Sequence, residues 1–533
     1  MDTQKLHDLI DKVIGKDGPL RTPAYWMRRV LKGIVGAMSD QDAFINDLKE
    51  SLESLKLSVD GVNERVDGVN ERVDILFNLS DLSYLTFVAE EDGLTVSLSK
   101  NACEYKIDDG EWNTLPMGEA TPAVDAGHKV SFRGKITPSS SGIGKFTLSA
   151  KCSAEGSPLS LLYGYAHATC KAPANAFRLL FDSAINLTSV SEDFLPSTIL
   201  GNSCYQRMFR GCTSLTTAPK LPATKAMEFC YYEMFKGCTS LTTAPELPAT
   251  TLLGMSCYSN MFRDCTSLTT APELPATTLV NACYHSMFYG CTGLATAPEL
   301  PATETVSQCY YAMFYGCTGL TTAPELPATK AEYQCYSHMF YGCTSLTTAP
   351  KLPATQIMEH CYASMFYGCT SLTTAPELPA TTLLGTACYN HMFCGCTSLT
   401  TAPELPATSL TISCYSNMFR GCTSLTTAPE LPATSLTISC YSNMFRDCTS
   451  LTTAPELPAT EAVKYCYDEM FYGCTSLRYI KALFTTNIDS SFTSKWVYGV
   501  ASSGTFVKHP DATWDVVGPN GVPEGWTIET ATV

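Results

Sequence analysis

The stretch MFRGCTSLTTAPKLPAT at residues 208–224 returns at a fixed interval through the second half of the chain. Indexed by the first cysteine of each unit, the copies fall at Cys204, Cys230, Cys257, Cys283, Cys309, Cys335, Cys361, Cys388, Cys414, Cys440 and Cys466, in steps of 26 or 27 residues. A period of this size means a solenoid, because one such unit cannot bury its own apolar face and copies must stack to cover one another. The unit reads Cys-Tyr-x-x-Met-Phe-x-Gly-Cys-Thr-Ser-Leu-Thr-Thr-Ala-Pro-Glu-Leu-Pro-Ala-Thr, then a short variable segment. Its Cys, Met and second Cys stand at i, i+4 and i+8, one stripe of a short helix. The following glycine, Gly211 or Gly237, suits a helix stop. Leu215 to Ala218 then suits a short strand. Pro219 and Pro222 cannot donate to a ladder, so the chain continues extended. The predicted solenoid is α/β.

The 26 cysteines would ordinarily suggest an oxidised, secreted protein. Yet the opening MDTQKLHDLIDKVIGKDG lacks the apolar core of a secretion signal, and the apolar run behind Arg28-Arg29 is too short for a twin-arginine signal. No run reaches the ~18 apolar residues of a membrane span. Within one unit, eight helical residues cover about 12 Å, too far for a disulfide, whose Cα atoms lie about 4.4–6.8 Å apart. A ladder of separated pairs also offers no convergent metal site. Just upstream, Ala176-Phe-Arg-Leu-Leu180-Phe181-Asp-Ser-Ala184 aligns with Cys204-Tyr-Gln-Arg-Met208-Phe209-Arg-Gly-Cys212, with alanine at both cysteine positions. A position that accepts alanine wants a small buried side chain. The cysteines therefore read as core residues, and no disulfide, metal or cofactor is expected.

The order Met-Phe-x-Gly-Cys-Thr-Ser-Leu, followed by Leu-Pro, resembles the BspA-type leucine-rich repeat and the related 26-residue repeat of bacterial surface proteins, over about residues 175–480. That resemblance implies a solenoid used for adhesion or display, without catalytic residues.

Other patterns flank the repeats. Ile45, Leu48, Leu52, Leu55, Val59, Val62, Val66, Val69, Val73 and Leu76 alternate by three and four, the a and d positions of a coiled coil. Valine at both positions leans towards a trimer. Thr22-Pro23 reads as an N-cap and first turn of a helix over Ala24 to Met38, suited to docking on a protein. Residues 84–162 switch to a period of two, with Asp108-Asp109-Gly110 as a hairpin turn, and predict a small β-sandwich. The tail carries Trp496, Phe506, Trp514, Trp526 and GPNGVPEGW, a compact cap for the solenoid end. The expected organisation is a helical head (1–40), a coiled-coil stalk (41–80), a β-sandwich (81–165), a degenerate repeat (166–203), the eleven-unit solenoid (204–477) and a cap (478–533). With its TPAYWMRRVLKGIV head and EYKIDDGEWNTL segment, this order resembles tail-fibre-like proteins of phages and prophages of gut bacteria. That implies synthesis in a reducing host cytoplasm, release by lysis and assembly on a virion, so the cysteines stay free.

The net charge of −16 argues against a bare nucleic acid or an anionic lipid surface. The eight histidines have no fixed carboxylate or serine partner, and no GxSxG, HExxH, P-loop or GxGxxG appears, so no enzyme is expected. One column could bind. The residue after each Met-Phe is Arg210, Lys236, Arg263, Tyr289, Tyr315, Tyr341, Tyr367, Cys394, Arg420, Arg446 and Tyr472. Stacking should align these into a stripe for a sugar or a polyanion, since Tyr and Arg favour binding hot spots. The plainer alternative is a row of solvated residues near helix C-termini, where a cation suits the dipole. A second column, Glu246 to Glu456, reads as solvated acid. The expectation is a non-enzymatic homotrimeric fibre: residues 1–40 dock to a virion or baseplate protein, and the solenoid meets a glycan or protein receptor on a bacterium. The alternative is a cell-surface adhesin.

Overall fold

The computed structural model describes residues 84–164, 171–252, 254–382, 385–485, 491–514 and 516–532. All lie in one compact unit, Leu82–Val533. The head, the predicted stalk and its heptad residues Ile45 to Leu76 lie outside the described residues.

Seven short strands open the unit: β1 (Leu85–Ala89), β2 (Val96–Leu98), β3 (Cys103–Ile107), β4 (Asn113–Leu115), β5 (Lys129–Arg133), β6 (Phe146–Leu148) and β7 (Cys152–Glu155). A one-turn helix, α1 (Ser160–Tyr163), and strand β8 (Leu187–Val190) follow. The main sheet runs β4-β3-β5-β1-β7-β8, and β2 pairs with β6 in a second, smaller sheet. Alternation along the strands turns Phe87, Phe132 and Phe146 into one core between them. Because β8 belongs to the degenerate first repeat and pairs in parallel with β7, the sheet passes directly into the solenoid.

The solenoid overturns the expected fold class. An α/β solenoid behind helices and a coiled coil is the expectation; the described repeats form a β-solenoid, and α1 is the one α-helix among the described residues. Each predicted repeat helix is instead a run of four-residue turns. In one coil Gln334, His338 and Gly342 take positive φ (51°, 58° and 69°), which breaks any helix after three residues. Hydrogen bonding alternates accordingly. The N–H groups of Cys335, Met339 and Tyr341 bond three residues back, to Glu332, Tyr336 and His338. Those of Tyr336, His338, Phe340 and Gly342 instead bond the carbonyls of Cys361, Ala363, Met365 and Tyr367 in the next coil, at 2.7–3.1 Å. A left-handed non-glycine residue costs about 1–2 kcal/mol. One inter-coil hydrogen bond, at about 1 kcal/mol, together with one buried side chain, at about 1.5–3 kcal/mol, offsets that.

Each turn points two residues inward, Cys-Tyr and then Met-Phe. Stacked coils therefore build two buried aromatic ladders. The tyrosine ladder runs from Tyr205 to Tyr467, with successive centroids 5.3–6.2 Å apart. The phenylalanine ladder continues from Phe146 of the β-region through Phe181 of the degenerate repeat and Phe209 to Phe471. The expected strand at Leu-Thr-Thr-Ala shrinks to a single parallel bridge per coil, Thr243 to Thr270 to Thr296 and onward to Thr453 and Tyr479. In the proline run, Pro350, Leu352 and Ala354 face inward while Lys351 and Pro353 face solvent. Two-residue parallel pairings appear in the variable segment: β9 (Lys225–Ala226) with β10 (Thr251–Leu252), and β11 (Lys330–Ala331) with β12 (Gln356–Ile357).

The turn pattern outlasts the cysteines. The carbonyls of Phe492 and Trp496 accept from Tyr467 and Phe471, as the Cys and Met carbonyls do in earlier coils. Lys495 and Gly499 repeat the positive φ. Strands β13 (Tyr479–Ala482), β14 (Thr505–Lys508) and β15 (Thr527–Thr530) form a parallel sheet along the same axis. Phe484, Trp496, Phe506 and Trp514 close the hydrophobic end. The Trp496 and Trp526 indoles donate to the Gly521 and Ala501 carbonyls.

Candidate functional site

The cysteines belong to the interior. All 25 in described positions are buried and free. The second cysteine of each unit donates its S–H to the phenylalanine carbonyl of the preceding coil, as Cys343 does to Phe314 at 3.1 Å and Cys369 to Phe340 at 3.0 Å. Burial pushes their thiols far up, to about 12 at Cys335 and Cys369, so they are poor nucleophiles and poor ligands. No group of three or more metal-ligating side chains occurs among the described residues.

The column after Met-Phe occupies the outward corner of the last turn, held there because the next residue is left-handed glycine or, in two coils, Asp264 and Asp447. The structure aligns it along the axis and extends it at both ends, to Asp182 and Tyr498. With no helix beneath, the helix-dipole account of its cations fails. Tyr289, Tyr315, Tyr341 and Tyr367 stack with centroids 4.3–4.4 Å apart and planes within 5° of parallel. All four are half-buried. Burial, then the neighbouring phenol, raises the hydroxyls of Tyr289, Tyr315 and Tyr341; for Tyr367 the first cause is the Cys394 thiol beside it. Arg263 covers the near face of Tyr289 at 4.1 Å, and Arg446 covers Tyr472 at 4.4 Å, which itself stacks on Tyr498.

Four of the column's five cations are paired within the protein. Arg210 binds Asp182 through two bonds of 2.6 and 3.1 Å. Glu233, buried, gathers Arg207 at 2.7 Å and Lys236 at 3.2 Å. Arg263 approaches Asp264 at 3.5 Å, and Arg446 pairs with Glu469 and Asp447. Arg420 has no ion pair among the described residues.

A second row lies beside the tyrosines. His285 stacks on Tyr311 at 4.7 Å, Tyr311 meets His338 at 5.4 Å, His338 reaches Tyr341 at 5.9 Å, and His391 lies 6.3 Å from Tyr367. Sequence reasoning dismissed these histidines because they had no fixed partner; column alignment alone would have shown them beside the tyrosines. Burial holds all three imidazoles below their usual range. The glutamate column is exposed, apart from an ion pair between Glu456 and Lys481 at 2.9 Å.

The family model for the BspA type leucine rich repeat region matches in six copies, over residues 180–321, 256–400 and 386–495, more than half of the chain. No curated protein matches. Among solved structures, a chain from the crystal structure titled TLR13-ssRNA13 complex is similar at 14% identity over 63% of this chain, with a TM-score of 0.23. This chain spans 45% of that one, and so slight a likeness carries no argument.

Proposed function

Because the chain belongs to the BspA-type leucine-rich repeat family, we propose that it is a non-enzymatic binding protein that presents its solenoid to a bacterial surface, in the manner of a phage tail fibre or receptor-binding protein. One observation carries this reading. The Cys-Tyr and Met-Phe positions that point inward are nearly constant, while variation gathers in the segment between units, the outward column and its neighbouring row, which offer exposed positions to a partner. The thiols are buried beyond use, and no nucleophile–base pair was found in the motifs, which favours binding over catalysis. The fibre context is supported by the TPAYWMRRVLKGIV and EYKIDDGEWNTL segments beside the repeats. On this reading the protein works as a homotrimer. Residues 1–40 dock to a virion or baseplate protein, and the product is made in a host cytoplasm and carried on particles. A cell-surface adhesin of the same repeat family is the second reading, favoured by the family itself. Probing purified particles and intact producing cells for the chain separates them. Presence on particles supports the fibre; labelling of intact cells with none on particles replaces it with the adhesin.

A further inference from the structure

The stripe's chemistry narrows its ligand. Four stacked tyrosines form a row several coils long, which suits a linear polymer better than a compact molecule. At 4.3–4.4 Å and near-parallel, each ring covers its neighbour's face. A ligand therefore meets edges and hydroxyls, a repeating line of hydrogen-bonding groups over a polarised C–H rim. The flanking row adds His285, Tyr311, His338 and His391, which hydrogen-bond without charge at neutral pH.

A polyanion is poorly served. Of the five cations in the column, Arg210, Lys236, Arg263 and Arg446 are already paired with Asp182, Glu233, Asp264 and Glu469, which leaves Arg420 without an ion pair among the described residues. The chain also carries −16 overall, which repels an acidic polymer at long range. We propose that the Tyr289–Tyr367 stretch binds an uncharged polysaccharide strand lying along the solenoid axis, held by the ring edges and hydroxyls of the tyrosines and by the adjoining histidine row. This rests on the surface-attachment reading above and supplies its ligand class.

Affinity electrophoresis of the full chain tests it, in gels containing a neutral polysaccharide (β-glucan, mannan or dextran) or dextran sulfate. The expected result is retardation by at least one neutral polymer, equal at low and high salt. A Tyr315→Ala/Tyr341→Ala variant should lose about thirtyfold in affinity, the scale of removing a hot spot. Tyr479→Ala, exposed but off the stripe, should behave as the parent, and cooperative melting of both variants well above the assay temperature excludes misfolding. Retardation by dextran sulfate alone, abolished by salt, overturns the proposal in favour of a polyanion. Retardation by no neutral polymer also overturns it. In that case attachment to intact bacteria decides the broader reading: cells still bound leave surface attachment standing with a protein receptor, whereas cells unbound remove both.

Discussion

Eleven tyrosines from Tyr205 to Tyr467 and four from Tyr289 to Tyr367 stack along the same axis, in the same coils. The inner rings sit 5.3–6.2 Å apart, offset and enclosed by Met, Phe and Cys side chains. The outer rings close to 4.3–4.4 Å because only each other, Arg263 and the histidine row hold them. The inner column is tyrosine in every one of its eleven coils; the outer one changes among Arg, Lys, Tyr and Cys. One residue type thus does two jobs. Inside, its area is the scaffold, and a change is felt by the coils above and below. Outside, it adds little to the fold and is free to define a surface.

The broadest way to break this division is alkali, whose largest effect falls on the inner side. The buried thiols are pushed up to about 12 at Cys335 and Cys369, whereas an unfolded cysteine ionises near 8.5. Their stabilisation is complete below the unfolded value, declines as pH rises beyond it, and is lost at the folded value. Each such thiol removes up to about 1.4 kcal/mol per pH unit across that window. Melting curves from neutral pH upward should show a steep fall, and a thiol reagent at neutral pH should leave the 25 buried thiols of the native protein unlabelled.

Phe340→Ala comes next. It removes one rung of the inner phenylalanine ladder and should cost about 3–5 kcal/mol, read by amide exchange as opening of the adjoining coils. A smaller effect follows from Gly342→Ala. The added Cβ would meet only the Gly316 Cα at 3.9 Å, so space is available and the cost is the left-handed backbone, about 1–2 kcal/mol. A neutral result in the melting temperature would contradict the turn geometry that points Tyr341 outward. Smallest is Tyr341→Ala, which loses the half-buried ring's contacts with Tyr315, Tyr367 and His338 and should change stability by about 0.5–1.5 kcal/mol.

Much of this scaffold was legible in the residues. The period demanded a solenoid, Ala176 and Ala184 identified the cysteines as packing groups, and column alignment named the tyrosine run. The repeat helix was misread for a physical reason. A four-residue turn also places Cys204, Met208 and Cys212 at i, i+4 and i+8, so spacing alone does not separate it from a helix of 3.6. The distinguishing signal was weak: the residues forced to positive φ, such as Ser203, Arg207 and Asn260, are mostly not glycine. The last full coil was hidden because Phe492, Thr493 and Trp496 replace Cys, Tyr and Met while keeping the backbone. The pairing of Arg210 and Arg446 was missed because their partners Asp182 and Glu469 lie about one coil away in sequence.

Neighbours in the chain provide the most direct test. Phe340 faces inward and Tyr341 outward. Attachment to bacterial cells should be measured for Phe340→Ala and for Tyr315→Ala/Tyr341→Ala, each well below its own melting temperature. The two columns predict opposite outcomes: the phenylalanine variant, although less stable, still attaches, and the tyrosine variant, although stable, does not. Equal loss of attachment in both, or loss in the phenylalanine variant alone, would contradict the division between an inner scaffold and an outer binding stripe.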